Sequence, residues 1–202
     1  MTEHEQDGSP ISTARLEAFS DAIIAIAATL LILEVHKPAA GQSVWFWLRH
    51  HWVEIDAYAI AFVTIGIMWV NHHMMFALVR RVDRTLLFLN LGLLAMIAFL
   101  PLPTAIAGER YDDPASVAFF SACFALSGCW FLAIWWYLHR HPALLEPAAR
   151  QATGPALRRT VIGPIAYAVA TLVALAVPEA ALALNALIAC YFVLPWSWPR
   201  RT

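Results

Sequence analysis

Long apolar runs separated by short polar clusters set the pattern of this chain. The first begins with Thr13-Ala-Arg-Leu-Glu-Ala-Phe-Ser-Asp21. Twelve uncharged residues, Ala22 to Leu33, follow before Glu34. A bilayer core about 30 Å thick needs roughly 20 residues of helix. The segment therefore spans only if its charged first half is also helical. Arg15, Glu17 and Asp21 then lie at membrane depth, inside protein or in a water-filled vestibule. Ionisable groups placed that way mark a functional site by default.

The same pattern predicts six helices, at about 13–35, 52–79, 85–107, 115–138, 158–177 and 179–195. Ser12 or Thr13 can cap the first, and Lys37-Pro38 stops it. Trp45, Phe46 and Trp47 crowd the following loop at headgroup-belt density and can form a short interfacial helix. The second helix is polar at both ends, with Glu54 and Asp56 at its start and Trp69-Val-Asn-His72-His73 near its finish. Pro101 and Pro103 break the third near its far end. Pro178 and Glu179 are expected to make the tight turn between the fifth and sixth. Residues 1–11 read as a polar tail, and residues 12–200 as a single six-helix transmembrane domain.

Composition agrees. Of the 202 residues, 61% are hydrophobic and 13% are charged, with a mean hydropathy of +0.64. A soluble domain carries about 25% charged residues. The fold class is therefore all-α integral membrane. A net charge of −1 with no basic, aromatic-interleaved patch speaks against nucleic-acid binding. Cys123, Cys129 and Cys190 lie inside apolar runs without CxxC spacing, which suggests neither a disulfide framework nor a zinc site. The acidic N-terminus (Glu3, Glu5, Asp7) does not read as a secretory signal.

Basic residues set the orientation. With both termini in the cytoplasm, Arg15, Arg80, Arg81, Arg84, Arg140, Arg150, Arg158, Arg159, Arg200 and Arg201 are inside, 10 of the 13 lysines and arginines. The acidic 3–4 loop, with Glu109, Asp112 and Asp113, is then external. No internal repeat is visible, and the first helix has no second copy in the fourth span. That weakens an inverted-repeat transporter.

At 100° per residue, Arg15, Phe19, Ala22, Ile26, Thr29, Leu30 and Leu33 share one stripe of the first helix. Glu17, Ser20 and Asp21 fall on other faces, so Asp21 is expected to point into its own bundle. The stripe has two readings. It is ordinary helix packing, or symmetry copies of it surround an axis and close a pore by dewetting.

Lipid offers no partners to the polar groups of the second and third helices. Trp69 and His73, at i,i+4, share a face, and Asn90 lies in the first third of the third helix. With Ser20 and Asp21, all sit toward the cytoplasmic half and can share a hydrogen-bond network. Neighbouring His72 and His73 face different ways, so no metal site is expected there. No catalytic set has a recognisable context, and no enzyme is predicted. Ser121, Ala125 and Cys129 form small-xxx-small steps on the fourth helix.

Arg15-Leu-Glu-Ala-Phe-Ser-Asp21 resembles the RxxxFSD signature of the transmembrane protein 175 family of potassium channels. Trp69-Val-Asn-His-His73-Met-Met-Phe76 is similar to that family's second helix. Asn90-Leu91 and Phe99-Leu-Pro101-Leu-Pro-Thr104 are similar to its third. The likeness covers residues 12–104 and is only topological beyond. It implies a potassium channel without a TVGYG filter, a motif this sequence lacks. Single-repeat bacterial members look like homotetramers whose first helix lines the pore. By position after the signature aspartate, Ile26 matches the hydrophobic constriction, Leu30 and Leu33 the next apolar rings, and Thr29 a threonine layer tied to potassium preference. Arg15, Phe19, Ser20 and Asp21 match the signature network, with Trp69, His73 and Asn90 as its partners.

The expected function is thus passive conduction of potassium and other monovalent cations through a homotetramer in the cell membrane, with no cofactor. Glu34, Asp112 and Asp113 would help cations approach from outside. The alternative is a small secondary cation transporter or proton-linked carrier. It would need an ionisable group on the transport path, and none lies on the first helix between Asp21 and Glu34. A third alternative is a non-conducting scaffold.

Overall fold

The computed structural model describes residues 12–193. The expected N-terminal tail and the Pro195–Arg201 tail lie outside the described residues. Among those described, every regular element is helical apart from one isolated bridge.

Helix α1 runs from Thr13 to Leu30 and continues as a 3₁₀ turn, Leu31–Glu34. At 1.5 Å per α-helical residue and 2.0 Å per 3₁₀ residue, the unit is about 35 Å long, enough to cross a bilayer core. The charged half is indeed helical, which resolves the shortness of its apolar run. The aromatic loop forms α2, Val44–His50, and the second span is α3, Trp52–Phe76.

The third span is in two pieces, α4 (Arg84–Phe99) and α5 (Pro101–Glu109). Pro101 has no N–H to donate, so the ladder breaks there and Leu100 N–H bonds Ile97 O at 3.1 Å instead. The break lies eight residues before the helix end, and α5 continues the path to Glu109. Asp83 caps α4, its Oδ1 accepting from Leu86 N–H at 2.8 Å. Its other oxygen accepts the Tyr137 hydroxyl at 2.6 Å, tying the start of α4 to the end of the next span.

That span is α6, Pro114–Arg140. It is the central post. Val117, Phe120, Phe124, Phe131, Ile134 and Leu138 are buried at helical spacing, and α4, α5 and the helices that follow it in the chain all pack on it. Gly128 lets the helix that carries Pro164 approach: a Cβ there would lie 2.8 Å from Pro164 Cγ.

The second half departs from expectation. The fifth span starts earlier, with a 3₁₀ segment Pro147–Ala152 and helix α7 (Thr153–Thr160) leading into α8 (Ile162–Ala174). Helix α9 spans Pro178–Val193. Pro178 therefore opens α9 and does not form the turn, which lies at 175–177. A proline at the first helical position loses only an N–H that would have no intrahelical partner.

The two basic loops are joined. Arg80 N–H donates to Leu144 O at 2.8 Å, and Glu146 N–H to Leu78 O at 3.0 Å. The arginines after α3 and those after α6 thus share one end of the bundle. At the other end Glu54, Glu109 and His36 come together.

Candidate functional site: the outward face of the first helix and its anchor

Helix α1 has two unlike faces. Leu16, Ser20, Ile24, Ala27 and Leu31 are buried, packed toward α3 and α4. The predicted stripe is the opposite face. Arg15, Phe19, Ala22, Ile26, Thr29, Leu30 and Leu33 are all exposed, with Ile26 at 58% and Leu33 at 68%. No residue of the described chain covers them. Among the described residues the subunit itself therefore offers this stripe no packing partner. Thr29 interrupts the apolar face, and its hydroxyl donates to Ile26 O at 2.9 Å. Its one hydrogen is used on the backbone, so the oxygen offers lone pairs outward.

The buried face carries a polar anchor. Ser20 Oγ donates to Leu16 O at 2.8 Å and accepts from Asn90 Nδ2 at 2.9 Å. The carbonyl oxygen of Asn90 then faces His72 Nε2 at 2.8 Å. An oxygen there requires His72 to carry its proton on Nε2. All three side chains are buried, so α1, α3 and α4 are pinned by one directed chain of bonds.

His72 corrects the expectation of His73. His73 is exposed and only stacks on Trp69, with ring centroids 6.1 Å apart. The two histidines do face different ways, and the inward one is His72. Its Nδ1 is buried without a hydrogen-bond partner among the described residues. Stacking on Phe76, at 4.4 Å, places the ring. Nothing in the local pattern separated the two, because Trp69 sits at i,i+4 from His73 and drew attention to it.

Asp21 does not enter the bundle core as expected. It lies half-exposed at the edge of a groove between α1 and α3, where Trp69 Nε1 donates to Oδ1 at 2.9 Å. Ile24, Ala25, Ala28, Phe62, Ile65 and Gly66 line the rest of this groove. Arg15 and Phe19 stay outside the network: both are exposed, and among the described residues Arg15 makes no ion pair.

Asn185 lies outside the expected site residues. Asn185 of α9 donates to Ser121 Oγ at 2.8 Å inside the core. A lone asparagine in an apolar helix was the available signal. Ser121 is thus a partner of α9, while Cys129 is exposed, so the small-residue steps of α6 do not form one contact face. At the far end, Asp113 accepts from Ser116 Oγ, which holds its carboxyl below the usual carboxylate range.

An inward anchor and a bare outward stripe occur together on the helix that carries the RxxxFSD residues. Residues 15–101 match the family model described as endosomal/lysosomal potassium channel TMEM175. A protein named a potassium channel from Streptomyces collinus is 39% identical over 187 residues, covering 89% of this chain and 91% of that one. The chain belongs to the TMEM175 family. A second protein named a potassium channel, from Chamaesiphon minutus, is 33% identical over 78% of this chain and 82% of its own. The crystal structure of a lysosomal potassium-selective channel TMEM175 homolog from Chamaesiphon minutus superposes with a TM-score of 0.79 at 29% identity. That match covers 90% of this chain and 96% of the other. The TMEM175 fold thus extends beyond the first three spans, where the sequence likeness was only topological.

Proposed function

We propose that this TMEM175-family chain is a potassium-permeable channel whose pore is lined by four copies of α1. The chain is a multi-pass membrane protein and a channel, not an enzyme. The observation that carries the pore reading is the bare stripe from Phe19 to Leu33 on the helix whose other face is pinned by Ser20. Around a fourfold axis, Ile26, Leu30 and Leu33 stack as apolar rings. Such rings gate by excluding water, since an ion stripped of its hydration has no partners there. Thr29 sits within this barrier. Its outward lone pairs offer four oxygens to a partly dehydrated cation, a weaker discriminator than a cage of backbone carbonyls.

Conduction is passive and needs no cofactor; potassium and other monovalent cations are what passes. The homotetramer closes the face that a single chain leaves bare. The joined basic loops support a cytoplasmic position for that end and for both termini, in the cell membrane. Glu34 and Asp112 then stand at the external side, where negative charge concentrates cations.

Reconstitution into liposomes under a potassium gradient tests the reading. A channel gives flux that follows the electrical driving force. Slow, saturable flux coupled to another ion would mark a carrier, and no flux a scaffold.

A further inference from the structure

We propose that His36, His51 and Glu54 form a binding site for a transition-metal dication of the zinc class, with Glu109 behind it. The site lies at the end of the bundle where α1 finishes and α3 starts. His36 comes from the linker after α1, His51 and Glu54 from the start of α3, and Glu109 from the end of α5. One potential ligand atom from each of His36, His51 and Glu54 lies within 4.8 Å of the others.

The geometry is already close to a coordination shell. Glu54 Oε1 is 2.7 Å from His51 Nδ1, and Oε2 is 3.2 Å from His36 Nδ1. In a tetrahedral zinc site with bonds of about 2.0–2.1 Å, neighbouring ligand atoms are about 3.4 Å apart. A dication can take the place of the shared protons if the three groups, within 4.8 Å of one another, draw in toward that spacing. Two imidazoles and a carboxylate suit zinc, and water completes a three-ligand site.

The surroundings orient the ligands. Glu109 Oε1 stands 3.7 Å from His36 Nε2, on the far side of the ring from Glu54. That distance is too long for a hydrogen bond, so Glu109 adds negative charge beside the site, which favours a dication. The His36 backbone N–H also donates to Glu54 Oε2 at 3.0 Å, and the His51 ring stacks on Trp47 with centroids 5.7 Å apart. Gly108 brings α5 against this corner: a Cβ there would lie 3.2 Å from Glu54 Cα. Side-chain exposure rises from 12% at Glu54 to 54% at His36, so the site is built at its base and open at its mouth.

Binding would staple the outer end of α1 to α3 and α5. That mechanical consequence rests on the pore reading; the binding itself does not.

The test is a calorimetric titration of Zn²⁺ into the purified full chain, with Co²⁺ as a spectroscopic stand-in. The expected result is one dication per chain and visible absorption from low-coordinate Co²⁺. His36→Gln and His51→Gln should each weaken binding at least tenfold. Glu109→Gln, which removes a nearby charge and no ligand, should weaken it by less than either histidine variant does. His141→Gln, exposed near the joined basic loops, should change nothing. Absence of uptake by the wild-type chain would overturn the proposal without any variant having to fold. Uptake unchanged by His36→Gln and His51→Gln, or lost equally with His141→Gln, would overturn it too. None of these readouts uses flux, so failure here leaves the channel reading standing, and the reverse.

Discussion

Asn90 donates to Ser20 across 2.9 Å of buried space, and the direction of that bond is set by Leu16. Because the Ser20 hydrogen goes to the Leu16 carbonyl, Ser20 can only accept from Asn90. The amide oxygen must then meet His72. Replacing Asn90 with alanine strands the His72 N–H, while Ser20 loses a donor and keeps its bond to Leu16. A buried polar group left unpaired costs about 1–3 kcal/mol. Asn90→Ala should lower the melting temperature of the purified protein by several degrees.

The same chain of bonds separates the two histidines. His72→Ala removes a buried donor and should destabilise the protein. His73→Ala removes only an exposed ring stacked on Trp69 and should be close to neutral. Equal effects in thermal denaturation would contradict the network described here.

Asp21 and Trp69 form a second link between α1 and α3. Both are partly exposed, so water weakens the bond, and a coupling of about 1 kcal/mol is expected. A double-mutant cycle with Asp21→Ala and Trp69→Phe measures it. Asp21→Ala should also disturb assembly or gating while leaving the outward stripe of α1 chemically intact. Normal tetramers with normal gating would argue that the aspartate has another role.

Much of this was legible in the sequence because membranes punish polar groups. Asn90, Ser20, Asp21 and Trp69 stood out as polar residues in apolar spans, and each proved to have a partner. The outward stripe followed from helical periodicity alone. Periodicity could not choose between His72 and His73, since that choice depends on where α4 places Asn90. Nor could it find the corner of His36, His51 and Glu54. His51 and Glu54 are one turn apart, but His36 arrives from a linker whose path only the fold determines. The fifth span begins before its expected start at 158, because the polar stretch ahead of it winds into the 3₁₀ segment Pro147–Ala152 and α7.

Gly128 offers a test of the packing that supports α1 indirectly. A methyl group there meets the Pro164 ring at 2.8 Å, which cannot swing aside as a flexible chain tip would. Overpacking of this kind costs about 1–3 kcal/mol. Gly128→Ala should lower thermal stability without changing ion preference in the protein that folds.

Thr29 makes a different prediction, about preference and not stability. Thr29→Val keeps the shape of the stripe and removes the oxygen that faces outward. The potassium-to-sodium permeability ratio should fall toward one, while Thr29→Ser should retain most of it. Reversal potentials under bi-ionic conditions read this directly.

The central claim is that the bare stripe of α1 is the ion path, and Ile26 is its test. Ile26→Asn puts an amide where four apolar side chains are proposed to exclude water. Potassium flux into liposomes carrying this variant should rise well above wild type at equal protein loading. Flux equal to wild type, from protein that assembles normally, would contradict the pore assignment.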